Sequence, residues 1–199
     1  MPEWEFQKRR RRFSWIVFIL LLIVIGLAVT HSGGWLGRLF KSAEVNQPGL
    51  YKVVKFDDGD TIVVDMNGAN ETIRFIGVDT PETHKPNTPI QCYGWKAADF
   101  TKQFIGSQRV RLQSDPLDTN RDRYGRLLRY VYLPDGTLVD KVLIQKGYGF
   151  AYTSFPFTKS IEFKAAELKA EQSKTGLWGA CKVIRNQYGG HNTTAASQR

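Results

Sequence analysis

The chain has 199 residues, 42% of them hydrophobic, which is enough for one globular domain with appendages and too little for two large domains. Its formal net charge of +9 is unevenly spread: seven Lys/Arg against three Asp/Glu fall in residues 1–44, and Arg185 and Arg199 carry the end. Residues 45–182 therefore hold nineteen basic against sixteen acidic groups, a near balance that excludes recognition of polyanions by a broad basic surface and requires local sites instead.

Residues 8–12 are all basic and precede an uncharged, mostly apolar stretch at 13–30. Eighteen helical residues span about 27 Å, close to the roughly 30 Å hydrocarbon core of a bilayer. Trp15 and Trp35 stand near the two ends, where aromatic rings favour the membrane interface. The pattern predicts a transmembrane signal anchor, with the basic residues 1–12 cytoplasmic and everything after Thr30 outside. The alternative is a cleaved signal peptide ending at Ala28-Val29-Thr30, and both export the rest of the chain. A polar linker follows at 31–48, then a folded domain at 49–182. The tail at 183–199, polar and aperiodic, is expected to be disordered. Cys92 and Cys181, the two cysteines, flank most of the domain; in an exported protein they are a natural disulfide pair, with two buried free thiols as the alternative.

Within the domain, residues 51–56, 61–66 and 71–78 are β-branched and aromatic, and Asn67-Gly68 is a tight-turn signal between the second and third. Residues 109–113 alternate polar and apolar, and 126–133 form a fifth strand ending at Pro134-Asp135-Gly136. Helical spacing relates Ala97, Phe100 and Phe104, then Val139, Val142 and Leu143, then Ile161, Ala165 and Leu168. Thr175-Gly176 ends the last helix, and Leu177 and Trp178 are expected to fold back on the core. The predicted class is α+β: a five-stranded antiparallel sheet closed as an OB-type barrel, with three helices, preceded by one transmembrane helix.

Two acidic clusters carry candidate chemistry. Asp58-Gly59-Asp60-Thr61 joins the first two strands and is explicable as turn chemistry alone. Asp79-Thr80-Pro81-Glu82-Thr83 follows the strand bearing Arg74, and short turns between neighbouring strands bring Asp60 and Asp79 together. Two carboxylates and a backbone carbonyl leave room for water around Ca²⁺, which accepts six to eight oxygens at flexible angles. Pro81 restricts Thr80 and holds its loop extended, which suits Glu82 as a base approaching one water. Arg74 and Arg126 offer planar forks that bind two phosphate oxygens and stay charged. Their mundane alternatives are a paired strand residue and one more charge among Arg121, Arg123 and Arg129.

These motifs, with Asp122-Arg123-Tyr124-Gly125-Arg126, stand in the order and approximate spacing of staphylococcal nuclease (thermonuclease) domains, and the resemblance spans roughly residues 50–178. It implies an OB-fold barrel with three helices, Asp60 and Asp79 as Ca²⁺ ligands through their carboxylates, and Thr80 through its backbone carbonyl. It also implies Glu82 as general base, Arg74 and Arg126 as phosphate and transition-state contacts, and Tyr124 and Tyr152 beside the bound nucleotide. Ser154 stands where a further tyrosine would be expected in that family. The function implied is Ca²⁺-dependent hydrolysis of DNA and RNA to 3′-phosphates by a monomeric nuclease domain. The competing expectation is an OB-fold module that binds nucleic acid or protein at the membrane without chemistry.

Overall fold

The computed structural model describes residues 49–84, 89–185 and 190–196. The chain divides into two units, Met1–Glu44 and Val45–Arg199, and every described residue lies in the second. The predicted cytoplasmic segment 1–12, the anchor at 13–30 and the linker at 31–48 lie outside the described residues; among those described, no helix is long and apolar enough to cross a membrane.

The first six strands are β1 (Leu50–Asp58), β2 (Thr61–Met66), β3 (Ala69–Phe75), the short β4 (Val78–Asp79), β5 (Arg109–Gln113) and β6 (Leu127–Tyr132). Five of them close a barrel in the order β1-β2-β3-β6-β5. β2 and β3 pair antiparallel across a two-residue turn at Asn67 (φ 57°) and Gly68 (φ 91°). Both turn residues have positive φ, which asparagine and glycine tolerate best. Alternation along the strands then turns Ile62, Val64, Ile73, Val110, Leu112 and Val131 inward, all 1% exposed or less. Each such burial is worth about 1.5–3 kcal/mol relative to exposure.

The sequence predicted an antiparallel sheet, but β3 and β6 run parallel, with Arg74 opposite Leu128. A closed ring with an odd number of strands cannot alternate direction at every step. The other four pairings are antiparallel, so the closing pair must be parallel.

The predicted third strand also ends early. Gly77 (φ 72°) breaks it after Phe75, and β4 stands apart from the barrel, paired with β7 (Phe150–Ala151). Helices α1 (Gly94–Ile105), α2 (Val139–Gln145) and α3 (Ser160–Gln172) occur where expected, and one further turn, α4 (Leu177–Ala180), buries Leu177 completely. The face of α3 is not the predicted one. Ile161 is 86% exposed and Leu168 54%, whereas Phe163, Ala166 and Ala170 pack inward. Two apolar stripes at helical spacing coexist on this helix, and its neighbours in the fold select between them.

The expectation of disorder after Val183 also fails within the described residues. β8 (Val183–Arg185) and β9 (His191–Thr193) pair antiparallel. The next residues run back beside the segment before α1, where Cys92 N–H donates to Thr194 O (2.8 Å) and Ala196 N–H to Ile90 O (2.8 Å). Cys92 and Cys181 are bonded, Sγ to Sγ 2.02 Å, so the free-thiol alternative is not what the structure holds. Polar composition misled because this segment is held by backbone hydrogen bonds, which leave no hydrophobic signature.

Candidate active site

The turn between β1 and β2 is seated by a close approach that only glycine permits. A Cβ on Gly59 would stand 2.9 Å from the Thr80 side chain and 3.0 Å from that of Ala97. Gly59 O also accepts from the Thr101 hydroxyl of α1 (2.6 Å). The first acidic cluster is thereby pressed against the second. Asp60, 6% exposed, accepts at Oδ2 from Thr80 N–H (2.8 Å) and the Thr80 hydroxyl (3.0 Å), and at Oδ1 from the Thr61 hydroxyl (3.0 Å).

Arg74 ties the two clusters together. Its Nη1 lies 3.1 Å from Asp60 Oδ2 and donates to Val78 O (2.7 Å), while Nη2 donates to Asp79 Oδ1 (2.7 Å). Burial opposes the guanidinium charge, but Asp60 and Asp79 outweigh it and raise its pKa. The strand-residue alternative for Arg74 is therefore half right: it is paired with acids, and those acids are the predicted metal ligands.

Glu82 is half-buried on the loop after β4. Its N–H donates to Gln91 Oε1 (2.8 Å), and one carboxylate oxygen accepts from His84 N–H (3.3 Å). Asp58, a side chain that sequence reasoning passed over, joins the site from the other side of the turn. Asp58 Oδ1 accepts from Gly59 N–H (2.9 Å) and from the Thr83 hydroxyl (3.1 Å). Burial, then the charge of Asp60, then that of Glu82, push its carboxyl up to about 7. The signal was present in the repeated Asp of Asp58-Gly59-Asp60, although turn chemistry accounted for it equally well.

Asp58 yields a pH prediction. An acid whose folded pKa is raised from 3.8 to about 7 contributes stability at low pH that is lost as pH rises through that interval. Asp58→Asn keeps an acceptor for Gly59 and Thr83 and removes the charge. In metal-free protein it should therefore stabilise more at pH 8 than at pH 5, as urea unfolding at the two pH values will show.

The third motif forms its own group. Arg126 Nε and Nη2 both reach Asp122 Oδ2 at 2.7 Å, and the guanidinium carbon lies 5.3 Å from the centroid of the Tyr124 ring. Burial works against the Asp122 carboxylate, but the Arg126 side chain and the N–H groups of Arg126 and Tyr124 outweigh it and lower its pKa. Arg121 pairs with Glu71 of β3 (2.9 Å), which fastens this turn to the barrel. Tyr124 is 67% exposed, as a surface for stacking requires. Tyr152 follows β7; its N–H donates to Gly77 O (2.8 Å), and its phenol lies close enough to act on the charge of Arg74.

Among the described residues, no group of three or more His, Cys, Asp or Glu side chains is arranged to hold a metal ion. The residues nevertheless suit a hard cation. The donors here are all oxygens, Asp60 and Asp79 face one guanidinium, and burial together with the charges of Asp60 and Glu82 raises the pKa of Asp58. Two carboxylates completed by water and carbonyl oxygen are a set that hard divalent cations accept.

Comparison with known proteins agrees with this geometry. A sequence model described as "Staphylococcal nuclease homologue" matches residues 72–180. The thermonuclease of Staphylococcus hyicus is 40% identical over 169 residues, covering 82% of this chain and 94% of that protein. The thermonuclease of Staphylococcus intermedius is 39% identical over 163 residues, covering 81% and 95%. Endonuclease YncB of Bacillus subtilis is 42% identical over 132 residues, covering 65% of this chain and 62% of its own length. With the closed barrel, the element order and the paired acidic clusters all in place, the chain belongs to the staphylococcal nuclease family.

Proposed function

We propose that the chain is a Ca²⁺-dependent nuclease that hydrolyses DNA and RNA between phosphorus and the 5′ oxygen, leaving 3′-phosphates, and that a segment at 13–30 anchors it with the domain outside the cytoplasm. The observation that carries the catalytic reading is the Arg74 fork, held at 2.7 Å and 3.1 Å by Asp79 and Asp60 with Glu82 on the adjoining loop. Thermonuclease and endonuclease relatives support it. The basic run at 8–12 and the apolar stretch after it support the location.

Asp60 and Asp79 would hold the cation through carboxylates, with Thr80 adding its carbonyl. When bound, Ca²⁺ supplies positive charge against the phosphate. Glu82 takes one proton from the attacking water as its oxygen bonds to phosphorus. Arg74 and Arg126 donate hydrogen bonds to the phosphate oxygens, whose charge grows in the five-coordinate transition state. The bond to the 5′ oxygen breaks, and that oxygen leaves as an alcohol after taking a proton from solvent. Tyr124 and Tyr152 flank the nucleotide, and the partners are the nucleic-acid substrate and the membrane, with the domain acting as a monomer.

Glu82→Gln keeps the backbone hydrogen bonds of the loop and removes the base. General base catalysis is worth about 10²–10⁴-fold, so kcat on single-stranded DNA with Ca²⁺ should fall by that factor with an unchanged unfolding midpoint. Wild-type activity in this variant would reject the mechanism. Binding of nucleic acid without turnover, in wild type and variant alike, would favour the non-catalytic module.

A further inference from the structure

Glu82 sits on a loop, yet one residue holds both of its backbone groups. Its N–H donates to Gln91 Oε1 (2.8 Å), and its carbonyl accepts from Gln91 N–H (2.9 Å). A two-point clamp of this kind fixes the orientation of the peptide units on either side of Cα, and so the direction of the side chain. Gln91 is fixed in its turn on the other side. Gln91 O accepts from Gly94 N–H at the start of α1 (3.0 Å), and a Cβ on Gly94 would stand 3.0 Å from Glu82 O, so helix and loop are in close contact.

What holds Gln91 from outside is the end of the chain. Gln91 bridges to Ala195, Ile90 O accepts from Ala196 N–H (2.8 Å), and Cys92 N–H donates to Thr194 O (2.8 Å). Cys92 O accepts from the hydroxyl of Thr193, which is only 3% exposed (2.8 Å), and the bond from Cys92 to Cys181 ties the same point to the end of α4. Residues 193–196 thus lie along Ile90, Gln91 and Cys92, the middle one of which grips Glu82.

We infer that Gln91 and the C-terminal segment 193–196 are a positioning clamp for Glu82, aligning it with the water it activates. This rests on the reading of Glu82 as the base. The clamp stands outside the closed barrel, so its hydrogen bonds bear on the loop more than on the barrel core. Misplacing a reacting group by about 1 Å can cost 10²-fold in rate, which is large for contacts made this far from the core.

The test compares five variants of the full-length chain with wild type: Gln91→Ala, Gln91→Glu, deletion of 194–199, Glu82→Gln, and Glu82→Gln combined with Gln91→Ala. With a misplaced base, Gln91→Ala and the deletion should each lower kcat about 10- to 100-fold with KM for DNA nearly unchanged. Gln91→Glu, which retains an acceptor for Glu82 N–H, should recover most of the rate. In the Glu82→Gln background, Gln91→Ala should produce no further fall, because residues acting through one another are not additive. Wild-type kcat in Gln91→Ala and in the deletion, or the same fold-loss with and without Glu82, would overturn the clamp. If Gln91→Ala fails to fold, the deletion decides alone, since it leaves every barrel residue in place. Full activity in Glu82→Gln by itself would instead remove the base reading, and the clamp with it.

Discussion

Arg126→Ala should lower kcat about 10²- to 10³-fold, the usual cost of losing one donor aimed at a developing oxyanion, and should hardly move the unfolding midpoint. The separation of the two effects follows from the environment of the side chain. Arg126 is 30% exposed and its partner Asp122 lies four residues away on the same turn. Pairs with this much access to solvent contribute about 1 kcal/mol, against the roughly 3–5 kcal/mol of a fully buried pair. The turn itself survives the substitution, because Asp122 Oδ1 accepts from the backbone N–H groups of Tyr124 and Arg126, which alanine retains. Lysine should not restore the rate, since its ammonium lacks the planar fork that meets two phosphate oxygens. Steady-state rates beside a thermal melt will check both parts; a loss of rate matched by a collapse in stability would place Arg126 in the scaffold instead.

Arg74→Ala should damage function and fold together. Its guanidinium reaches Asp60, Asp79, Val78 O and, at 3.3 Å, Phe75 O, so it offsets part of the site's negative charge and closes the break between β3 and β4. Removal leaves the nearly buried Asp60 without its cation, beside Asp58 and Glu82. Breaking a buried pair in this way costs about 3–5 kcal/mol, measurable by urea unfolding of the metal-free protein. Added Ca²⁺ should then recover more stability in the variant than in wild type, because a cation supplies part of the lost charge to the folded state alone. Activity should remain at least about 100-fold down even at saturating Ca²⁺, since a phosphate contact is gone as well. Equal stabilisation of both proteins by Ca²⁺ would argue that the cation does not bind beside Asp60.

Much of the fold was legible in local pattern. Alternating β-branched residues placed the five barrel strands within a few positions, and Asn67-Gly68 located the tight hairpin through its positive φ angles. Asp60, Arg74, Asp79 and Thr80 were named from motif order, and the structure brings them within hydrogen-bond reach of one another. Arg126 and Tyr124 form a separate group that motif order did not distinguish from the first.

The sequence by itself determined what depends on neighbours along the chain: strand alternation, turn chemistry, helical spacing, and a motif order that identifies the family. Tertiary structure decided what depends on partners distant in sequence. It chose Phe163 over Ile161 as the buried stripe of α3, because only the shape of the neighbouring core distinguishes two stripes of equal periodicity. It made β3 and β6 parallel, because closure constrains the ring as a whole. It brought Asp58 into the acidic cluster, because the crowding that raises its pKa comes partly from Glu82 on another loop. And it laid residues 193–196 alongside Gln91, because backbone hydrogen bonds need no particular side chains and so leave no pattern to read.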